Sequence, residues 1–193
     1  PKDAENAMDK AAGFIGVPRP RQIPALCAKC HAAPQKMRQY NLRPDQYALY
    51  KTSAHGKQLL LKGDENVATC VSCHGAHDIL SPGNPESHVY RTNLPLTCSK
   101  CHSDKKLMGR YNLPANQFAE YKQSYHGILL LEKGDLRVAN CADCHGTHGA
   151  TPPGVKEVAN VCGNCHGLTE EYYNQSRHKI AVEKAGIPRC IDC

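Results

Sequence analysis

The chain has 193 residues, with 12 Cys, 11 His, 13 Pro and 15 Gly, no Trp and two Phe, which is too little aromatic mass for an ordinary core. Its longest apolar run, Ile128 to Leu131, falls far short of the roughly 18 residues a membrane span needs, so none is expected. The formal charge of +6 would suit nucleic acid or an acidic partner, unless the chain carries a group with carboxylates of its own.

Residues 1–26 contain several prolines and read as an N-terminal arm or linker. The chain opens on Pro1, with neither a charged start nor an apolar stretch, so the native start is expected to be missing or processed. Next comes Cys27-Ala-Lys-Cys30-His31. A helix is predicted from Asp45 to Lys62, with Pro44 ahead of it and Gly63 as its stop. His55 lies four residues before Leu59, so one face of that helix presents imidazole and leucine together. Then follow Cys70, Cys73, His74 and His77, a loop at Ser81-Pro-Gly-Asn-Pro85, and His88.

The order then recurs. Cys98, Cys101 and His102 precede a predicted helix from Ala115 to Lys133, which follows Pro114, carries His126 and stops at Gly134. Cys141, Cys144, His145 and His148 lead into a Pro/Gly loop, Thr151 to Gly154. After Cys162, Cys165 and His166, a third helix is predicted from Glu170 to Ala185, capped by Thr169, ended by Gly186 and Pro188, and carrying His178. The chain closes on Cys190-Ile-Asp-Cys193. No stretch alternates with period two, so the expected class is mainly α with extensive irregular loops and little or no β.

Every cysteine therefore belongs to one of six CxxC pairs, and in the first five the next residue is His. CxxCH is the signature of covalent c-type haem attachment. Two thiols three residues apart can form thioethers to the two vinyl groups of one porphyrin edge, and the adjacent imidazole then lies under the iron. Zinc ribbons, redox CxxC motifs and disulfide frameworks do not require His after the second cysteine five times running. The expected cofactor is haem c, about six per chain, the sixth motif lacking its His within the chain. The fold is thus read as a multihaem cytochrome built around a haem stack.

A repeat organises the remaining histidines. Cys27 and Cys98, His55 and His126, Cys70 and Cys141, and His77 and His148 are each 71 residues apart. Three dihaem units follow: 27–97, 98–161, and a truncated unit at 162–193. His31, His74, His102, His145 and His166 are the motif ligands, and His55, His77, His126, His148 and His178 are candidates for the opposite side of an iron. His77 is too close to His74 to reach round the same porphyrin. The simplest closed arrangement therefore pairs His31 with His77 and His74 with His55, and copies this as His102 with His148 and His145 with His126. His88 has no counterpart in the repeat and reads as a surface or propionate-contacting imidazole, with iron ligation as the alternative.

The chain resembles multihaem c-type cytochromes with the doubled CxxCH pattern, in which a Ser-x-His-Gly helix precedes CxxCHGxH. Here these are Ser53-Ala-His55-Gly56 and Ser124-Tyr-His126-Gly127, followed by Cys70 to His77 and Cys141 to His148. The resemblance covers about residues 27–193. It departs at Lys179, which stands where the other units have Gly, and at the sixth motif. It implies bis-histidine haems in close contact and a periplasmic or extracellular location, with membrane association through a missing part as a variant. The implied partners are redox proteins: a membrane quinone oxidoreductase, or copies of the chain itself in a filament.

The expected function is electron transfer, with no catalytic residues. An iron held by two imidazoles has no open site, and histidine-only ligation gives lower potentials than a His/Met pair. Met8, Met37 and Met108 are not read as ligands. The rival is an oxidoreductase of the nitrogen or sulfur oxyanion type with one open haem, for which the fifth and sixth sites are the candidates. Six haems would add about −12 from propionates and turn the +6 into roughly −6, which removes the motive for nucleic-acid binding. Lys100, Lys105, Lys106 and Arg110 are then read as propionate partners or a solvated face.

Overall fold

A computed structural model describes residues 8–11, 13–14, 16–154, 157–185 and 190. They form two compact units, Pro1–Val89 and Tyr90–Cys193. Among the described residues there are helices and irregular loops and no strand, as expected. No helix among them is long and apolar enough to cross a membrane.

In the first unit a 3-10 turn at Pro20–Gln22 leads into α1 (Ile23–His31), followed by α2 (Pro34–Arg38), α3 (Gln46–Thr52), α4 (Ala54–Lys62) and α5 (Cys70–His74). The end of the expected arm is thus helical. Arg21 donates to the Leu60 carbonyl at 3.3 Å, tying this entry segment to α4. Helix α1 packs against α2, α3 and α5.

The second unit contains α6 (Leu94–His102), α7 (Lys105–Gly109), α8 (Gln117–Gln123), α9 (Tyr125–Leu131) and α10 (Cys141–His145). It continues with α11 (Val158–Gly163), α12 (Gly167–Gln175) and α13 (Arg177–Ala185). Helix α6 packs on α7, α8 and α10, while α12 lies between α11 and α13.

Each of the three long predicted helices is two helices with a serine between them. Ser53, Ser124 and Ser176 have extended backbones, with ψ of 162°, 157° and 162°. Ser53 Oγ donates to the Tyr50 carbonyl at 2.7 Å and accepts from Gly56 N–H at 2.9 Å, so one hydroxyl ends α3 and starts α4. Ser124 repeats this with Tyr121 at 2.7 Å and Gly127 at 3.0 Å. The two helices of each pair cross so closely that a Cβ on Gly56 or Gly127 would overlap the carbonyl oxygen of Tyr50 or Tyr121. The Ser and Gly of the Ser-x-His-Gly motif are therefore a hinge and a crossing point, and the His between them is what the hinge positions.

Ser176 also donates to the Tyr173 carbonyl at 2.7 Å, and the Lys179 amine lies 6.0 Å from the Tyr173 ring centroid. The third pair thus keeps the serine and replaces the bare crossing with a lysine side chain. It begins at Gly167 rather than at Glu170, with His166 rather than Thr169 in the capping position. Its predicted stops, Gly186 and Pro188, lie outside the described residues. Of the other two predicted stops, Gly63 closes α4 in the left-handed conformation at φ 72°, whereas α9 ends at Leu131, before Gly134.

The interior carries the repeat too. Leu59 and Leu130 are fully buried, as are Pro24 and Pro95, and Met37 and Met108 are buried at 5 % exposure each. Each of these pairs is 71 residues apart. Val158, Ala159 and Val182 are the other buried apolar side chains among the described residues.

Candidate haem attachment site

The five complete motifs all lie on or at the end of a helix, outside the three helices predicted from the sequence. In α1 and α6 the motif forms the last turns of a nine-residue helix opened by a proline. In α5 and α10 the motif is the whole helix, Cys70–His74 and Cys141–His145. The fifth spans the end of α11 and the turn after it, where the amides of Cys165 and His166 both donate to the Cys162 carbonyl, at 3.2 and 2.9 Å. Residues i and i+3 share a helix face, so in the four helical motifs the two thiols lie on one side with the imidazole beside them.

The extended residues that lead into α5 and α10 are fixed from outside. Tyr50 Oη donates to the Ala68 carbonyl at 2.8 Å, and Tyr121 Oη to the Ala139 carbonyl at 3.0 Å. Each phenol on the first helix of a hinge thus anchors the backbone two residues before a haem-motif cysteine. Burial, followed by the neighbouring cysteines, pushes both phenols up to about 12, so they remain donors over the whole ordinary pH range. Ser72 Oγ accepts from Thr69 N–H at 3.0 Å, and Asp143 accepts from Asn140 N–H at 2.8 Å. Asp143 also pairs with Arg91 at 2.8 Å, and the same guanidinium donates to the Val138 carbonyl at 2.7 Å.

The motifs are brought together in twos. In the first unit Cys70 and Cys27 share a hydrogen bond, and the Cys70 thiol is pushed up by burial first and by Cys27 second. In the second unit Cys141 bonds Cys98, which lowers it, and Cys162 lies against Cys190. His102 is lowered by burial and then by His145. None of the eleven described cysteines is in a disulfide, and Cys193 lies outside the described residues.

The structure also places the other histidines. His126, on α9, faces His166, with ring centroids 6.0 Å apart and planes inclined at 42°. His55 and His148 are half-buried, whereas His77 and His178 are exposed. His88 Nε2 lies 3.1 Å from the Asp78 carboxylate. Lys100, Lys105, Lys106 and Arg110 are exposed.

These residues fit haem c. The thiols are paired at the right spacing and none is consumed in a disulfide among those described. Apolar side chains beside the motifs stay at the surface, Leu96 at 52 % and Leu168 at 64 %, and suit the face of a porphyrin. Among the described residues no group of three or more His, Cys, Asp and Glu converges on a point, as a bare zinc site requires.

Residues 134–171 match the family model of the doubled CXXCH motif. That stretch holds the fourth and fifth motifs, from Gly134 through Cys141 and His166 to Glu171. No solved structure matches the chain. The match agrees with the geometry: the CxxCH motifs imply covalently bound haem c, in a protein similar to c-type cytochromes.

Proposed function

We propose that the chain is an electron-transfer multihaem cytochrome with about six haems, most of them held by two histidines. The observation that carries this reading is that four of the five complete motifs lie wholly within a helix, with two thiols and an imidazole on its last turns, while the fifth runs from the end of α11 into the turn after it. Haem supplies a one-electron iron couple. The Tyr50–Ala68 and Tyr121–Ala139 hydrogen bonds would hold the second and fourth motifs in place for their haems, the serine hinges would position His55 and His126, and neighbouring motifs are set thiol against thiol. Histidine on both faces of an iron leaves no site for substrate, which favours relay over catalysis. Thioether attachment places the protein in an exported compartment, where redox proteins, a membrane quinone oxidoreductase or further copies of the chain are its partners.

The test is pyridine haemochrome absorbance per protein, with EPR and near-infrared spectra of the oxidised form. About six haems, all low-spin and bis-histidine, are expected. A high-spin fraction near one haem per chain would replace the relay with an oxidoreductase carrying an open iron. Absence of covalent haem would overturn the reading altogether.

A further inference from the structure

We infer that His126 and His166 are the two axial ligands of a single iron, that of the haem carried by Cys162 and Cys165. The inference rests on the reading of CxxCH as haem attachment. It assigns His126 to the fifth haem, whereas pairing within the sequence repeat would give it to His145.

The spacing of the two rings leaves room for one metal between them. With metal–nitrogen bonds of about 2.0 Å, rings on opposite sides of one metal have centroids about 6.2 Å apart. A direct hydrogen bond between ring nitrogens, at about 2.9 Å, would bring the centroids to about 5.2 Å. The observed 6.0 Å is close to the shared-metal spacing and too long for the direct hydrogen bond; ring packing alone also spans about 4.5–7 Å, and the spin state of the His126 variant separates ligation from packing.

Both rings are held by backbone that does not depend on their contact. His126 sits in the first turn of α9, set by the Ser124 cap and the Gly127 crossing. His166 caps α12, where its amide donates to Cys162 and its carbonyl accepts from Glu170 at 2.9 Å. His166 follows Cys165 directly, so the haem it serves is the one on its own cysteines. The histidine across from it is then the ligand from the opposite side. The fifth haem was a candidate for an open iron, and this assignment closes it.

The test uses the full-length holoprotein. His126→Ala is expected to keep the haem count and turn one haem high-spin, with exogenous imidazole restoring the low-spin spectrum. The same substitution is then made in a background lacking the fifth haem, Cys162→Ala/Cys165→Ala/His166→Ala. There it should add no high-spin signal. In the complementary background lacking the fourth haem, Cys141→Ala/Cys144→Ala/His145→Ala, it should still add one, which keeps the test decisive if the first background does not fold. High-spin iron appearing without the fifth haem, or no spectral change in the full protein, would overturn the assignment. A wild-type chain without covalent haem would instead sink the underlying reading, and the haemochrome count separates the two failures.

Discussion

The carbonyl oxygen of Tyr121 occupies the space in which a side chain on residue 127 would have to begin. The contact joins the last turn of α8 to the first turn of α9, one residue from His126, so the closeness of the crossing sets the position of that imidazole.

Gly127→Ala should therefore force the two helices apart. Overpacking of this kind costs about 2–3 kcal/mol, and the displaced His126 should lower the low-spin fraction. Lys179→Ala, at the equivalent position of the third pair, removes no bare crossing and should change stability by less than about 0.5 kcal/mol. Thermal unfolding of the two holoproteins, with their oxidised spectra, checks both.

Ser124→Ala deletes the hydroxyl that ends one helix and starts the next. Loss of such a cap costs about 1–2 kcal/mol, and Ser124→Thr, which keeps the hydroxyl, should recover most of it. Equal melting temperatures for Ser124→Ala and wild type would contradict the hinge.

Leu130→Ala empties a fully buried site. A cost of about 2–5 kcal/mol is expected, with a similar figure for Leu59→Ala, because the two leucines occupy the same place in their units. Denaturant titration of each variant measures it, and a marked inequality would show that the two cores are not equivalent.

Tyr50 and Tyr121 give the stability a pH dependence on the alkaline side. An ordinary phenol ionises near pH 10, and these two near 12 when folded, chiefly through burial. The unfolded chain therefore loses these protons first as pH rises. The stabilisation is complete below about pH 10 and is lost between about 10 and 12. Melting temperatures from pH 9 to 12 should fall more steeply for wild type than for Tyr50→Phe/Tyr121→Phe.

The haem motifs and the 71-residue period were legible in the sequence because covalent chemistry and duplication leave fixed spacings. The helical class was legible from prolines and glycines at helix ends. The break at Ser53 was not, because serine followed by Ala-His-Gly satisfies a helical pattern until its hydroxyl is seen bonding on both sides. Met37 and Met108 were weighed only as iron ligands, yet they repeat with the period and lie in the interior. The short helices around the cysteines went unread, since five residues give too little periodicity. The neighbour of His126 was hidden for another reason: a repeat in sequence suggests units closed on themselves, and the facing imidazole belongs to the next one.

The sparse interior has a consequence for how the protein comes into being. A few leucines, methionines and prolines per unit give the bare polypeptide a weak driving force against the entropy of ordering its loops. If the surface leucines at the motifs close over porphyrin, most of the apolar burial arrives with the cofactor. Maturation and folding then become coupled, and a chain that has received no haem lacks most of its interior and is open to quality-control proteases.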